Sequence, residues 1–311
     1  TDRQGNFYFT QSGYKSPLTG AVVKLSPDGK NARFVGTDLR NPNGMGSGGP
    51  QDWITVADNP SGKAIYNGFS IAREGAAYGH NRARNLPMLV RLPARVDSSS
   101  GGQCWSHPTD WGPLSGSVIH ASYSRCNAFY CLIQDTQPYP NGFAVQFPIP
   151  LKSGGMRSRV SPTDHQVYLL CHRGWDSSAR FDGVIYRIRY TGQPVRGITG
   201  ATVVPHGLHL TFGSPLDPGS VRAAAFTAVR EEDQSKQKPN AVPLGDVRLM
   251  DSRTVFIEIP GIEKEDLSQR TDSKGVVRVP PPISLTCRLR SADGVKLETT
   301  IHATVNSVPS R

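Results

Sequence analysis

The feature that most limits what this chain can fold into is a turn-then-strand unit that recurs with no helix between copies. Short runs of β-branched and aromatic residues lie at Phe7–Thr10, Ala21–Leu25, Ala32–Val35, Trp53–Ala57, Ala64–Ile71 and Met88–Leu92. They continue at Ser117–Tyr123, Ala128–Gln134, Phe143–Phe147, Val167–Cys171 and Val184–Tyr190. Between them stand turn clusters such as Ser26-Pro27-Asp28-Gly29-Lys30, Gly49-Pro50-Gln51-Asp52 and Ser161-Pro162-Thr163-Asp164. Proline presets the backbone for a turn, glycine supplies positive φ, and aspartate bonds its own backbone two residues on. Val184-Ile185-Tyr186-Arg187-Ile188-Arg189-Tyr190 alternates with period two, so Arg187 and Arg189 share one strand face. No three-turn amphipathic helix pattern interrupts this region. The fold class is therefore all-β. The spacing of the units is irregular and leaves a β-propeller and a β-sandwich both open on pattern alone.

A chain of 311 residues is long enough for two domains. Around Thr191-Gly192-Gln193-Pro194-Val195 and Gly197–Gly200 the composition changes to that of a linker. We place the boundary there, with blades at 1–195 and a small sandwich at 196–311. The later strands are predicted at Leu208–Phe212, Thr254–Ile259, Ile283–Arg290 and Thr299–Thr304. Glu231–Asn240 and Leu267–Lys274 read as polar surface loops.

The formal charge is +10. Most of the excess falls in residues 1–195, which carry 20 Lys/Arg against 12 Asp/Glu. No Lys/Arg tract, zinc-finger spacing or basic helix accompanies it, so a nucleic-acid partner is not indicated. Scattered arginines suit an anionic small ligand or an acidic polysaccharide equally well. The five cysteines show no Cys-x-x-Cys spacing; Cys126 and Cys131 are close enough for a cross-strand bridge, or are small buried hydrophobes. No apolar run of membrane-spanning length and no signal peptide occurs, and neither do a P-loop, a nucleophile elbow or a dinucleotide fingerprint.

Two arginine patches carry the chemistry. Arg157 and Arg159 are spaced i, i+2, so on a strand both guanidinium groups point to one face. Like charges side by side call for an anion or hydrogen-bond acceptors between them, and the guanidinium fork matches carboxylate or phosphate. A structural pair lining a channel is the alternative. The second patch is Arg40-Asn41-Pro42-Asn43-Gly44, which also reads as a blade-connecting turn.

Arg40-Asn41-Pro42-Asn43-Gly44 resembles the Arg-Asn-Pro-x-Gly motif of the soluble glucose/sorbosone dehydrogenase propellers, six-bladed quinoprotein sugar dehydrogenases. Other segments follow in that family's order over residues 1–190. They are Asp58-Asn59-Pro60, Ala77-Tyr78-Gly79, Ser122-Tyr123-Ser124-Arg125 and Arg157-Ser158-Arg159. The run from Trp111–Gly116 through Tyr186–Pro194, with Leu208–Asp217, is similar to large secreted bacterial proteins that join such a propeller to an immunoglobulin-like domain and often to a c-type haem module. The resemblance implies a partial six-bladed propeller followed by an immunoglobulin-like sandwich, in a chain that begins inside the fold. It implies pyrroloquinoline quinone held by Arg40, Asn41, Ser124, Arg125, Arg157 and Arg159, with calcium on the backbone carbonyls of Asn59 and Pro60. Implied partners are a sugar or polysaccharide and a c-type cytochrome acceptor, or a chain completing the propeller. The implied location is periplasmic or extracellular. Ser124 stands where the family has lysine, and the family's general-base histidine would precede Thr1. The resemblance therefore leaves open a dehydrogenase and a non-catalytic module that binds carbohydrate or protein.

Among the remaining polar residues, His80, His107, His120 and His172 are candidate bases or ligands, with His80 and His120 foremost. No His-x-His, His-x-x-x-His or nearby carboxylate group points to zinc or iron. Trp53, Trp105, Trp111 and Trp175 are candidates for sugar stacking or, more commonly, blade packing.

Overall fold

Glycine-rich segments, not the apolar runs, form the centre of the first half of the molecule. In the computed structural model, residues 1–13, 19–60, 66–81, 83–174, 176–230 and 239–310 are described. Trp175, residues 231–238 of the predicted loop and residues 64 and 65 of a predicted strand lie outside them. The first blade is β1 (Phe7–Gln11), β2 (Gly20–Leu25) and β3 (Ala32–Leu39). The second begins with β4 (Pro42–Gly48), β5 (Trp53–Asp58) and β6 (Tyr66–Ile71). A two-residue strand, β7 (Ala76–Ala77), returns to pair in parallel with β3, and β8 (Val90–Pro93) closes the second blade. The third blade is β9 (Ser100–Trp105), β10 (Val118–Ser122), β11 (Asn127–Gln134) and β12 (Asn141–Gln146); the fourth is β13 (Gly154–Val160), β14 (Val167–His172) and β15 (Gly183–Ile188). All the predicted strands of this half that fall on described residues are present. Ser26–Lys30, Gly49–Asp52 and Ser161–Asp164 are hairpin turns, as their residues require.

The inner strands β4, β9 and β13 were absent from the sequence expectation, and Pro42–Gly44 opens a strand rather than ending a turn. Their glycines explain both facts. Residues with low β-propensity hide a strand from pattern reading, yet a side chain would keep these backbones apart. A Cβ on Gly44 would lie 1.8 Å from the Gly101 carbonyl oxygen, and one on Gly101 would lie 2.5 Å from that of Gly155. The same contacts, with Gly46 against Gln103, show the three inner strands running in one direction.

The described residues from 196 onward form two further sets of strands. One sheet holds β16 (Ile198–Val204), β17 (Gly207–Phe212), β20 (Val247–Leu249) and β21 (Thr254–Glu258). The other strands, β18 (Phe226–Arg230), β19 (Asn240–Val242), β22 (Ile283–Arg290) and β23 (Lys296–Thr304), do not make a sheet of their own. Instead β23 pairs antiparallel with β12 over Gly142–Val145, so one eight-stranded sheet runs from β9 to β19. One core joins the third and fourth blades to the sandwich, through Ile119, Phe143, Leu169, Leu210, Phe212, Ile257 and Leu285 among others. Tyr130 Oη–H donates to the Ile198 carbonyl (2.8 Å), and Gln134 bonds both backbone groups of Val203. Gly197–Gly200, read as linker, runs into β16. Leu267–Lys274 is not wholly at the surface: Leu267 is fully buried at a short 3-10 turn, and its N–H bonds the Asn306 carbonyl (2.9 Å).

All five cysteines are buried free thiols, so Cys126 and Cys131 behave as small hydrophobes and not as a bridge. Trp111 is core, and Trp53 and Trp105 pack at the margin of the core between the second and third blades. Large apolar side chains face outward on the two outermost blades: Phe7, Phe9 and Phe34 on the first, Leu170, Phe181 and Ile185 on the fourth.

His302 gives the shared sheet a pH dependence. It is buried on β23, its Nδ1 2.8 Å from Ser284 Oγ. Burial, with the charge of Arg95 second, pushes its pKa from 6.5 down to about 3. The folded protein thus keeps a neutral ring while the unfolded chain takes up a proton below pH 6.5. The stabilising contribution is full above that pH and is lost as pH falls toward 3. Between pH 6.5 and 5 we expect a loss of about 2 kcal/mol. Urea midpoints measured across this range should show the slope in the natural protein and a flatter line in His302→Leu; equal slopes would refute the assignment.

Candidate functional site

Asp58 ends β5 beside the start of β4, and its carboxylate organises the arginine turn. Oδ2 accepts the Arg40 N–H (2.8 Å) and Oδ1 accepts the Asn41 N–H (2.7 Å). Burial raises the Asp58 pKa despite these two bonds and the charges of Arg84 and His80. The Arg40 side chain then turns back across the ladder. Its Nη1 donates to the carbonyls of Asn59 (3.1 Å) and Pro60 (3.2 Å). These are the two carbonyls that the resemblance gives to calcium.

Beside this clamp lies a cavity of about 540 Å³ between the first and second blades. Its polar walls are Arg40, Asp58, Tyr66, Ser70, Tyr78, His80 and Arg84; Leu39, Val56 and Met88 supply apolar surface, and Val279 reaches in from the C-terminal half. Arg84 Nη1 donates to Leu86 O (3.2 Å) and weakly to Ser70 Oγ (3.4 Å). Among the described residues no carboxylate lies within ion-pairing distance of Arg84. Burial lowers its pKa, opposed by the more distant Tyr66, Asp58, Tyr78 and Asp38. A half-buried guanidinium that faces the cavity without an ion-pair partner favours an anionic guest. Burial also raises the Tyr78 pKa, so its hydroxyl stays protonated.

The other expected site residues lie elsewhere. Asn41, Ser124, Arg125, Arg157 and Arg159 do not line this cavity. Ser124 is buried with no hydrogen-bond partner for Oγ among the described residues, and Arg125 Nη2 donates to the Ala94 carbonyl (3.2 Å). Arg157 and Arg159 do project from one face of β13, either side of buried Ser158, as their spacing requires. Arg157 Nη1 donates to its neighbour Met156 O (2.7 Å) and reaches Asn43 Oδ1 at 3.5 Å; Arg159 Nη1 donates to Ser158 O (2.7 Å). Burial, then the charge of Arg159, lowers the Arg157 pKa.

This arrangement does not fit the quinone and calcium as the resemblance implies. Arg40 occupies the calcium carbonyls with its own positive charge, and the remaining arginines do not converge with it on one cavity. No reaction step through either group follows from these residues.

His120 is no base for a substrate: it is wholly buried between Asp97 and Gln103. His80 is exposed at the cavity edge. The sequence offers no histidine pair or carboxylate cluster for a metal, but the fold brings His107, Asp110 and His165 together at two hairpins. The pair His107 and Asp110, three apart, was visible in the sequence; His165 is brought in by the fold.

No protein-family model matches the chain, and no curated protein matches it. Solved structures of similar shape include an oxidoreductase of glucose dehydrogenase type from Thermus thermophilus. It is 13% identical, with TM-score 0.45 over 58% of this chain and 61% of that one. A second glucose dehydrogenase is 16% identical, with TM-score 0.45 over 61% and 62%. A protein assigned as a 6-phosphogluconolactonase from Bacteroides uniformis is 12% identical, with TM-score 0.31 over 95% of each chain. The chain spans less than two thirds of the length of the first two. Nothing about the site follows from likeness at this level.

Among the described residues, no helix is long and apolar enough to cross a membrane.

Proposed function

We propose that this chain is a propeller-type module that binds an acidic carbohydrate, a sugar bearing a carboxylate, in the cavity between its first two blades. The observation that supports this is Arg84, a guanidinium with no ion-pair partner among the described residues, facing a cavity of about 540 Å³ whose walls also carry tyrosine hydroxyls. That volume suits a mono- or disaccharide. Arg84 pairs with the carboxylate, Tyr66 and Tyr78 meet ring hydroxyls, and the Leu39–Val56–Met88 surface takes the apolar face of the sugar. The net positive charge favours approach of such a ligand. A periplasmic or extracellular location goes with this reading.

Calorimetric titration with glucuronate, glucuronamide and glucose tests it. Glucuronate should bind best, and Arg84→Gln should weaken it about 10- to 100-fold, the worth of a charge-assisted bond, while leaving glucose unchanged. Equal binding of all three sugars, unaffected by Arg84→Gln, would refute the proposal. The dehydrogenase reading, with electrons passed to a c-type cytochrome, requires Arg40 to leave the Asn59 and Pro60 carbonyls. Quinone absorbance and dye reduction with an aldose panel, after adding pyrroloquinoline quinone and calcium, would favour it over binding alone.

A further inference from the structure

The sheet that the third blade shares with the sandwich splits at one end. β12 and β23 pair from Gly142 opposite Thr304 to Val145 opposite Ile301, and then part. Past the split the Phe147 N–H turns to the Ala128 carbonyl (2.9 Å), while β23 stays with β22 as far as Lys296. Side chains do not fill the gap. It forms a cavity of about 620 Å³, walled on another side by the stretch from Ile188 to Gly197 that leads from the fourth blade into β16.

Four aromatic rings line this cavity, and the fold holds them in place. Trp111 is buried, and its indole N–H donates to the His165 carbonyl (2.9 Å). Tyr130 is buried with its hydroxyl on the Ile198 carbonyl, and its ring centre lies 5.1 Å from that of Phe147, the planes 60° apart. Tyr190 lies against Gly112, which sits at φ +53° and whose added Cβ would come 2.5 Å from the ring. The polar atoms of Trp111 and Tyr130 already have partners, so these rings offer the cavity apolar surface. The rim is different. Arg196 is paired with Asp293 (2.7 Å) and Glu298 with Arg288 (3.1 Å). Arg189 and Lys296 are exposed at the same cavity and have no ion-pair partner among the described residues.

We propose that this cavity binds an aromatic carboxylate, its flat ring among Trp111, Tyr130, Phe147 and Tyr190 and its charge at Arg189 and Lys296. A planar guest meets such walls by offset stacking or edge to face. A largely apolar cavity of this size with a few polar groups at one side is the ordinary setting for a small ligand. Two cations without counter-charges select an anion over a neutral guest, and the Arg189 fork matches a carboxylate. A sugar suits the site poorly, because apolar walls leave its hydroxyls without partners. The site shares no lining residue with the Arg84 cavity and does not rest on the reading of that cavity.

Calorimetry on the full chain, with naphthoate and its neutral analogue naphthalenemethanol as probes, tests the proposal. One equivalent of naphthoate should bind, about 10-fold more tightly than the alcohol. Arg189→Met and Lys296→Met should each weaken naphthoate about 2- to 5-fold, the worth of an exposed charge pair, and leave the alcohol unchanged. Gly197→Phe should block the cavity, since an added Cβ there meets only Tyr130 Oη, at 3.5 Å. That variant should lose naphthoate binding altogether. Naphthoate should raise the thermal midpoint of the natural protein but not of Gly197→Phe. Glucuronate should not displace naphthoate. Equal binding by the natural protein and a folded Gly197→Phe, displacement by glucuronate, or the alcohol bound as tightly as the acid would overturn the proposal. The two cations are exposed and their replacement does not threaten folding, so unchanged naphthoate affinity in Arg189→Met/Lys296→Met refutes it independently.

Discussion

Replacing Asp97 by alanine is expected to lower the unfolding free energy by about 3–5 kcal/mol, the cost of leaving two buried donors without the carboxylate that accepts from them. Asp97 closes the turn after β8 and is itself fully buried. Its Oδ2 accepts from Ser100 Oγ (2.5 Å) and faces His120 Nε2 (3.1 Å). Gln103 Nε2 lies 3.1 Å from His120 Nδ1, and Gln103 Oε1 accepts from Thr55 Oγ1 (3.0 Å). With Gln103 donating to Nδ1, Nε2 carries the proton that faces Asp97. The chain of bonds thus crosses from β5 of the second blade to β10 of the third through residues wholly shut off from water. Removing the carboxylate leaves an imidazole and a hydroxyl without their acceptor. Burial raises the Asp97 pKa, but its interaction with His120 and the Ser100 bond outweigh it and hold the group below its ordinary 3.8. A depressed folded pKa means stability that is present above the unfolded value and lost as pH falls through the folded one. Urea denaturation should therefore show a gap between natural protein and Asp97→Ala that is constant near neutrality and closes only below about pH 4. A gap under 1 kcal/mol at pH 7, or one that closes already at pH 6, would show that the network does not bear this load.

Asn306→Ala should cost about as much, roughly 3–5 kcal/mol, because several buried groups lose partners at once. The Asn306 amide donates to the carbonyls of Met88 (2.9 Å) and Pro140 (2.8 Å), and its Oδ1 accepts from Arg91 Nη1 (2.9 Å). Arg91 is fully buried, and Nη2 takes the Val305 carbonyl (3.1 Å). No carboxylate among the described residues pairs with it. Burial pushes its pKa down to about 10, so it stays charged at neutral pH and depends on neutral acceptors. Arg91→Met, similar in volume, removes that dependence and should cost less than Asn306→Ala. Guanidinium midpoints for the two variants decide the matter: if Arg91→Met is the more damaging, the guanidinium itself, and not its satisfaction, holds the tail in place.

Much of the β architecture was legible, because apolar alternation and Pro-Asp-Gly turns are local signals. What stayed hidden was the centre. β4, β9 and β13 are written in glycine for close approach of backbones, a demand that only the neighbouring blade explains. The site divided along the same line. Arg157 and Arg159 share a face because spacing alone decides that. Arg40 turned to the Asn59 and Pro60 carbonyls because Asp58, on the neighbouring strand, fixes the backbone of its turn. Arg84 sits in an irregular stretch with no motif around it, and only the fold shows that it lacks an ion-pair partner among the described residues. His165 carries no local hint of His107, since the two meet through a turn that Trp111 anchors from the core.

The pairing of β12 with β23 also sets a timetable for synthesis. β12 ends at Gln146 and its partner begins at Lys296, so roughly 150 residues separate them. At about 5–20 residues per second, the edge of the third blade waits on the order of 8–30 s for the strand that covers it. During that interval Gly142-Phe143-Ala144-Val145 is an apolar edge open to other chains. A nascent protein of this kind needs a chaperone or a dilute compartment until its last strands arrive, and crowded overexpression should lose yield before the finished fold loses stability.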